Sequence, residues 1–409
     1  MRNVVIGGGA AGFFGSVAAA TNPNCAVTLL EAGPEPLSKV RISGGGRCNV
    51  THHCFDPAQL VQHYPRGGKA LRGAFSRFQP QNTIAWFADR GVRLKTETDG
   101  RMFPVTDDSA TIVDCLTQAA QEMGVRIRTR ASVASVTKAQ RGFEVQLKSG
   151  ATLGCDRILL ATGSSPQGHR IAATLGHRIE PPVPSLFTFN IKDAQLRDLK
   201  GLSVTPTALK LKLEDIKKPL EQTGPLLITH WGLSGPAVLK LSAWGARHLH
   251  QQRYRSTLTV NWLPQQSQET VRETLQQAKA VRSRQSLATY SLFDLPKRLW
   301  QYLLHRCTLD PQLTWANLPK KGLNRLVQEL TAGEYAIEGK GVFKDEFVTC
   351  GGIRLKEVNF KTMESRLCPG LFFAGEVLDI DGVTGGFNFQ SAWTTGWLAG
   401  QSMAAANVS

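Results

Sequence analysis

The sequence predicts an α/β fold in which both ends of the chain build one parallel-sheet domain, with a β-rich segment and a small helical segment inserted between them. Two observations carry this prediction. Apolar residues 3–6 form a strand that leads into a glycine-rich turn and a small-residue helix, and apolar residues 371–374 lead into a second glycine-rich turn and a final helix. Strands that alternate with helices in this way are typical of parallel sheets.

The first turn has the spacing G-x-G-x-x-G at Gly7, Gly9 and Gly12. The first glycine permits a tight turn, the second lets a pyrophosphate approach the backbone, and the third lets helix and strand pack closely. The helix start then offers free N–H groups to phosphates. Glu31 ends the next apolar strand, nineteen residues after Gly12, where an acid accepts hydrogen bonds from a ribose hydroxyl pair. These features predict a Rossmann-like site for FAD or NAD rather than NADP.

The segment after this unit, residues 33–60, is predicted to be rich in loops. Its stretch Ser43-Gly-Gly-Gly-Arg-Cys-Asn49 can wrap backbone amides around an anion, and Lys39, Arg41 and Arg47 add positive charge. We expect this stretch to contact the pyrophosphate or a flavin ring.

A second buried strand, residues 156–160, ends on Ala161, Thr162 and Gly163, where small side chains let a strand end lie close to a dinucleotide. No second G-x-G-x-x-G occurs in the sequence, so a separate pyridine-nucleotide domain is not encoded. This absence and the A-T-G strand end favour FAD over NAD.

The pattern of apolar and polar residues changes at two points in the middle of the chain. Prolines at 181, 182 and 184 mark a boundary, after which residues 185–263 alternate like strands and residues 266–330 read as amphipathic helices. We therefore expect a discontinuous FAD-binding domain over 1–185 and 346–409, a β-rich substrate domain over 186–265 and 331–345, and a helical insertion over 266–330.

The C-terminal turn is the second strong signal. Gly375 and Glu376 follow a buried strand, and a carboxylate there can hold a ribityl hydroxyl. Gly385, Gly386 and Asn388, followed by Gln390, open the last helix. The N-terminus of that helix can direct N–H groups at the flavin N1/O2 edge, where negative charge collects on reduction.

The composition limits the class of protein and the compartment in which it occurs. The 409 residues are 42% hydrophobic and 20% charged, which is typical of a globular chain of two or three domains. No apolar run approaches the ~20 residues of a membrane span, and the first strand begins too early to leave room for a signal peptide. The eight cysteines lack framework spacing and are typical of reduced thiols. We expect a cytoplasmic protein.

The net charge of +16 favours anionic partners. A soluble basic surface, or a field that attracts anionic cofactors and substrates, is one interpretation, and RNA or DNA binding is the alternative. Nucleic acid is the weaker expectation, because the basic residues are not concentrated in one tail and no aromatic–basic recognition motif occurs.

Two motif-like segments are rejected. The C-x3-H-H-C order of residues 48–54 matches no paired zinc-ligand spacing, so no metal is expected. The serine turn at residues 232–236 has Pro236 where the hydrolase elbow needs glycine.

Together these motifs resemble the bacterial YhiN-type flavoproteins, a three-domain family with aminoacetone-oxidase-like and BaiN-like, bile-acid enone-reductase-like members. The resemblance covers nearly the whole chain. It rests on VIGGGAAG (5–12), ISGGGRCNVT (42–51), GRMFPVTD (100–107), ITHWGLSGPAVLKLS (228–242), VTCGGIRLKEVNFKTMESRL (348–367) and GLFFAGEVLDIDGVTGGFNFQSAW (370–393).

The resemblance implies a glutathione-reductase-like FAD domain with noncovalent FAD. The implied FAD-binding residues are Gly7, Gly9, Ala10, Ala11, Gly12, Glu31, Ala32, Lys39, Arg41, Ser43, Gly44, Gly45, Arg47, Cys48, Asn49, Val133, Ala161, Thr162, Gly163, Gly375, Glu376, Gly385, Gly386, Phe387, Asn388 and Gln390. Residues 164–168 form a shorter loop than the family often has. That departure points to a distinct branch, so neither aminoacetone nor bile-acid chemistry transfers directly.

The sequence thus predicts an FAD-dependent oxidoreductase that moves hydride or electrons between a small organic substrate and flavin N5, with NADH or NADPH as the possible electron donor. The substrate-side candidates are Arg47 and Arg101, which could hold an anion, and His230, which could move a proton. A structural role for each is at least as good an interpretation. A flavoprotein of RNA modification and a flavin redox sensor are the alternative functions.

Overall fold

The chain forms two compact units in a computed structural model that describes residues 1–289, 291–341 and 348–405. The first unit comprises Met1–Val183 and Val348–Ser409, and the second comprises Pro184–Phe347. The boundary predicted at 185/186 falls two residues from the division between units, whereas the boundary predicted at 345/346 lies outside the described residues.

The elements of the first unit, up to the first crossing into the second, are in chain order β1 (Arg2–Ile6), α1 (Ala10–Ala19), β2 (Ala26–Leu30), α2 (Ser38–Gly46), β3 (Thr51–His52), α3 (Pro57–Leu60), η1 (Val61–His63), α4 (Gly68–Phe75), α5 (Pro80–Ala88), β4 (Leu94–Thr96), β5 (Arg101–Pro104), α6 (Ala110–Glu122), β6 (Arg126–Arg128), β7 (Val133–Lys138), β8 (Phe143–Leu147), β9 (Thr152–Cys155), β10 (Arg157–Leu160), α7 (Pro166–Thr174) and β11 (Ile179–Ser185).

The second unit contains β12 (Phe189–Asn190), α8 (Ala194–Arg197), β13 (Ser203–Lys212), β14 (Leu220–Ile228), β15 (Gly232–Ser234), α9 (Pro236–Trp244), α10 (Ala246–Gln251), β16 (Arg255–Asn261), α11 (Gln268–Val281), α12 (Lys297–Arg306), η2 (Trp315–Asn317), α13 (Lys320–Ala332) and β17 (Gly333–Glu338). The chain returns to the first unit with β18 (Val348–Ile353), η3 (Leu355–Glu357), β19 (Val358–Asn359), β20 (Glu364–Ser365), β21 (Leu371–Phe373), η4 (Gly375–Val377) and α14 (Phe387–Ala404).

A seven-stranded sheet in the order β19-β20-β21-β10-β1-β2-β6 forms the centre of the first unit. Its strands from β21 to β6 are parallel, and their registers align Ile6 with Leu30 and Leu160, and Leu160 with Phe373. Both glycine-rich turns follow the carboxyl ends of these strands. Because the carboxyl ends of parallel strands meet at one edge, that edge is where a nucleotide binds in open α/β sheets.

Helices α1 and α14 pack in direct backbone contact. A Cβ atom at Gly396 would lie 2.6 Å from the carbonyl oxygen of Ala11, and one at Gly400 would lie 2.3 Å from that of Gly15. The pairing of 11 with 396 and of 15 with 400 makes the two helices parallel. α14 begins nine residues before Gly396, whereas α1 begins only one residue before Ala11. The N-terminus of α14 therefore lies about 12 Å beyond the N-terminus of α1, on the N-terminal side of the helix pair.

The second unit has one core shared by strands and helices. Its six-stranded sheet has the order β12-β15-β14-β13-β16-β17. Leu209 and Leu258 of the sheet lie in the same buried cluster as Leu275, Leu303 and Leu326, which belong to α11, α12 and α13. The helical segment that the sequence separates from the β-rich segment therefore packs on the sheet, because its apolar faces have no other core to bury against.

We expect Gly400→Ala to destabilise the first unit. The new methyl group has no space against the Gly15 carbonyl oxygen, and overpacking of this kind costs about 1–3 kcal/mol. Gly73→Ala in α4 is the matched control, because a Cβ atom there would meet no atom within 4 Å and alanine favours helix by up to about 1 kcal/mol. The urea midpoints of unfolding of the two variants are measured by circular dichroism. Equal midpoints for the two variants would contradict close α1–α14 packing.

Candidate cofactor site

The three glycines of the loop before α1 differ in the space around them. Gly7 has a φ of +113°, and a Cβ atom there would lie 2.3 Å from the Ala161 carbonyl oxygen. A Cβ atom at Gly12 would lie 1.9 Å from the Gly7 carbonyl oxygen, whereas one at Gly9 would meet nothing within 4 Å. Gly9 therefore borders open space, and the N-terminus of α1 that follows it has no side-chain cap. An anion can approach these N–H groups directly.

Glu31 is held beside this loop by backbone groups. Its Oε2 accepts a hydrogen bond from the Gly8 N–H at 2.8 Å, and its Oε1 accepts one from the Gly33 N–H at 2.6 Å. Its own carbonyl oxygen accepts from the Ala131 N–H at 2.8 Å, two residues before Val133 at the start of β7. A carboxylate has lone pairs left after two such bonds, so the fixed Glu31 can also accept hydrogen bonds from ribose hydroxyls.

Residues 38–42 of the segment predicted to be rich in loops form a helical turn of α2, but the stretch from Ser43 to Gly45 leaves helical geometry at a kink. Helical hydrogen bonding begins at Ser38, and the φ values of Gly44, Gly45 and Gly46 are then +58°, +71° and +85°. Cβ atoms at Gly45 and Gly46 would meet nothing within 4 Å. Gly45 and Gly46 thus present bare backbone to open space, which suits close approach of a ligand, whereas Gly44 packs against Phe103 and Asn49.

Residues 48 and 49 connect this kink to the C-terminal turn. Cys48 is buried, and burial raises the pKa of its thiol to about 12, so the thiol is neutral and unreactive. In the amide orientation that satisfies both groups, Asn49 accepts from the Gly386 N–H at 3.0 Å and donates to the Thr51 carbonyl oxygen at 3.1 Å. The structure therefore brings the 43–49 and 385–390 segments together, as the implied site requires.

The N-terminus of α14 has no side-chain cap and follows Gly386, whose φ is +91°. The Asn388 amide instead makes two hydrogen bonds with the backbone of Gly382, at 2.8 and 2.9 Å. Gln390 is fully buried, and its oxygen accepts from the hydroxyls of Thr51 and Thr83 at 2.6 and 2.9 Å. These two predicted FAD-binding side chains thus shape the turn through protein partners, while the helix N–H groups stay available.

Two side chains that pack on Phe387 of this turn, those of His63 and Tyr64, have no signal in the sequence motifs. The Tyr64 hydroxyl donates to the Phe387 carbonyl oxygen at 2.6 Å, and the His63 ring stacks on the Phe387 ring with centroids 4.2 Å apart. His52 Nδ1 lies 3.0 Å from the Gly385 carbonyl oxygen, which can only accept, so Nδ1 carries the proton. A buried ion pair between Arg66 and the fully buried Asp381 lies on the segment just before the turn. Only the three-dimensional contacts reveal His63, Tyr64 and Arg66, whereas Phe387 is one of the implied FAD-binding residues.

Glu376 connects three predicted segments. Its Oε1 accepts from the Thr349 N–H at 2.9 Å, and its Oε2 lies 2.7 Å from Lys39 Nζ. A Cβ atom at Gly163 would lie 3.6 Å from the same Oε2, so the A-T-G strand end is adjacent. His169 is buried nearby, and burial lowers the pKa of its ring, which keeps it neutral at pH 7.

The two candidate arginines are close together but already have acidic partners. Arg47 and Arg101 bind different oxygens of Glu97, at 2.7 and 2.8 Å. Their guanidinium carbons lie 4.0 and 5.4 Å from the centre of the Phe103 ring. Arg101 also pairs with Asp99 at 2.7 Å. Because the charges are balanced, this cluster favours a fixed loop over a free anion site.

The remaining predicted residues have simpler positions. His230 lies in the second unit between β14 and β15, where it is exposed and its ring centre is 5.0 Å from that of Trp231. Arg41 and Ala32 are exposed. Among the described residues no group of side chains could hold a metal ion, and no helix is both long and apolar enough to cross a membrane.

The first unit fits an elongated dinucleotide. Two uncapped helix N-termini point the same way at the same sheet edge, with one about 12 Å beyond the other. Open space lies at Gly9, and fixed carboxylates lie at Glu31 and Glu376.

Residues 1–402 match the family described as the HI0933-like protein Rossmann domain. The chain belongs to the HI0933-like family. This membership confirms the resemblance to YhiN-type and BaiN-like flavoproteins and the Rossmann-like fold. The family binds FAD, so the protein is an FAD-dependent oxidoreductase.

Relatives of this HI0933-like chain differ in what they act on. A ribosomal RNA dihydrouridine synthase of Escherichia coli K12 is 33% identical, over 99% of this chain and 98% of that one. A 3-dehydro-bile acid delta(4,6)-reductase of Clostridium scindens is 28% identical, over 98% of both chains. The crystal structure of a 3-ketosteroid-delta4-(5alpha)-dehydrogenase from Rhodococcus jostii RHA1 shares the fold, with a TM-score of 0.53 and 15% identity over 99% of this chain and 96% of that one.

We expect Gly9→Ala to weaken FAD binding without weakening the fold. Gly9 has a φ of −91°, which alanine adopts, and the added methyl group meets no protein atom. It does occupy the space through which a pyrophosphate approaches α1. Isothermal titration of the flavin-free protein with FAD should give at least a tenfold higher Kd, about 1.4 kcal/mol.

Gly73→Ala is the control for this measurement and should bind FAD as the wild type does. Gly7→Ala, by contrast, should impair folding itself, because of its positive φ and its contact with Ala161. Unchanged FAD affinity in Gly9→Ala would place the pyrophosphate elsewhere.

Proposed function

We propose that the protein reduces a C=C bond conjugated to a carbonyl group, using FAD that is first reduced by NADH or NADPH. The support comes from what two full-length relatives have in common. Dihydrouridine synthesis saturates the uracil C5=C6 bond, which is conjugated to a carbonyl, and a delta(4,6)-reductase of a 3-dehydro bile acid saturates bonds conjugated to a ketone. The substrates differ, but the reaction is the same.

We propose that the substrate is a uridine in RNA. The observation that carries this choice is the net charge of +16, which exceeds what a small uncharged substrate requires and suits a polyanion. The full-length relative that acts on ribosomal RNA is also more similar to this chain, at 33% identity, than the bile-acid reductase, at 28%. The reduced thiols of all eight cysteines suit the cytoplasm, where such an RNA occurs.

Specific residues are assigned to the cofactor in this proposal. The α1 N-terminus with Gly9 would bind the pyrophosphate, Glu31 would bind the adenosine ribose, and Val133 would contact the adenosine part of FAD. Glu376, fixed by Lys39 and Thr349, binds the ribityl chain. The left-handed glycines 44–46 and the α14 N-terminus contact the flavin ring.

When bound and reduced, FAD supplies a hydride from N5. The chain's own contribution is electrostatic and positional. The uncapped α14 N-terminus stabilises negative charge at the flavin N1/O2 edge. The Arg47–Glu97–Arg101 cluster keeps its loop in place. Overall, substrate, NADPH and one proton give the dihydro product and NADP⁺, with hydride and proton added to the two carbons of the former double bond.

A small enone is the second candidate substrate, favoured by the bile-acid reductase relative. Its reduction needs the same flavin site but no contact with phosphates. The two candidates therefore differ in salt dependence, because only a polyanion gives a steep loss of affinity with salt.

The decisive assay incubates the FAD-loaded protein with NADPH and in-vitro-transcribed ribosomal RNA, which carries no modifications. Nucleoside mass spectrometry should find a uridine that has gained two hydrogen atoms, and Gly9→Ala at the same concentration should give much less. A parallel panel of steroid enones tests the second candidate. Product from enones and none from RNA would reject the uridine proposal. Reduction of the bound FAD by one equivalent of NADPH, with no product from either substrate and no further NADPH oxidation, would favour a redox sensor.

A further inference from the structure

One face of α4 is basic and exposed. Lys69, Arg72 and Gly73 are exposed at the spacing of a single helix face, whereas the opposite face, which includes Leu71 and Phe75, is buried. The exposed Arg77 lies two residues after the end of α4 and continues this row, because the Phe78 N–H still bonds to the Ala74 carbonyl oxygen in the helical pattern. From Lys69 to Arg77 this face spans about 12 Å.

The β19–β20 hairpin adds two more cations, Lys361 in its turn and Arg366 directly after β20. Lys361 and Arg366 are exposed, and together with Arg77, Phe360 and Gly73 they line a cavity of about 560 Å³. An Arg77 N–H donates to the Lys361 carbonyl oxygen, which fixes the end of the α4 face against the turn. We call these five cations, Lys69, Arg72, Arg77, Lys361 and Arg366, the basic α4 surface.

The charge of this surface is uncompensated. Within the part of the chain that the structure describes, none of its five cations pairs with an acidic side chain, and Arg77 and Arg366 donate to backbone carbonyls instead. Some cations elsewhere in the first unit, such as Lys39, Arg47 and Lys95, pair with a carboxylate. Five exposed positive charges on two neighbouring elements repel one another unless an anion binds between them.

The surface lies at the same edge of the sheet as the cofactor turns. β20 runs antiparallel to β21, with Glu364 opposite Phe372. The Met363 carbonyl oxygen accepts from the Phe373 N–H at 3.0 Å, so the β19–β20 turn lies at the carboxyl end of β21. Gly375 and Glu376 follow that same end. A polymer bound to the basic α4 surface would therefore lie along the edge at which the flavin turn lies.

We propose that the basic α4 surface binds the phosphate backbone of the RNA substrate. This inference rests on the proposed function. The length of the basic α4 surface favours a polymer over a single nucleotide. Phosphates along one nucleic-acid strand recur about every 3.4 Å of helix axis, so several phosphates face a 12 Å row of cations. Phe360 in the cavity offers a ring on which an unpaired base stacks.

Gly73 provides a test that leaves the fold intact. A Cβ atom there would meet no atom within 4 Å, and any other residue replaces a helical glycine. Gly73→Glu puts a carboxylate among the five cations, and Gly73→Gln is the neutral control of the same size. We expect Gly73→Glu to weaken binding of a fluorescein-labelled RNA hairpin to the FAD-loaded protein by tenfold or more at 0.1 M salt, and Gly73→Gln to change it less than threefold.

A second pair of variants tests the cations themselves. Lys69→Gln with Arg72→Gln removes two charges from the surface, and Lys320→Gln with Lys321→Gln removes two exposed charges from the second unit. Each lost phosphate contact lowers the slope of log affinity against log salt by about 0.7–0.9. The first pair should reduce the slope by about 1.4–1.8, and the second should leave it unchanged.

The outcomes separate this proposal from the proposed function. If the two double variants have equal slopes of log affinity against log salt, and RNA is still bound and still reduced, the proposed RNA-binding surface is wrong and the RNA function stands. A raised KM for NADPH in Gly73→Glu, with RNA affinity unchanged, would overturn the surface by making it a nucleotide-cofactor site. If the wild type binds no RNA even at low salt, both proposals fail.

Discussion

The backbone contact between α1 and α14 is the constraint on which the cofactor site depends. The G-x-G-x-x-G loop and the C-terminal turn are more than three hundred and seventy residues apart in sequence, and the second unit is inserted between them. Gly15, Gly396 and Gly400 let the two helices approach without side chains between them. That approach fixes both helix N-termini at one sheet edge, with an axial offset that suits a dinucleotide rather than a single phosphate.

Around this pair of helices the protein uses its polar groups to fix the backbone. Glu31, Asn49, Asn388 and Gln390 all bond to protein groups, so the loops are held without a ligand. What they leave unpartnered is the set of helix N–H groups and left-handed glycines. A site built largely from backbone donors needs little reorganisation when negative charge develops on a bound ring, and that is the condition under which such donors stabilise charge best.

The sequence predicted what local spacing determines. Gly7, Gly9, Gly12 and Glu31 lie within one strand–helix–strand unit, so their distances in sequence specify their geometry. The pairing of Arg47 with Glu97 could not be predicted in this way, because the two residues are 50 positions apart in sequence, and neither could the two threonines that bind Gln390. The basic α4 surface was hidden for a similar reason. Its cations are divided between two segments almost three hundred residues apart, and the total charge gives no indication of which cations lack acidic partners.

Single-turnover flavin oxidation tests the central claim most directly. The FAD-loaded protein is reduced without oxygen, freed of excess NADPH and mixed with an RNA transcript, and the visible absorbance of oxidised flavin is followed. The account predicts that absorbance returns with RNA that contains uridine and does not return with the same RNA made with 5,6-dihydrouridine, which has no double bond to reduce. Equal recovery with both RNAs, or recovery with neither, would contradict it.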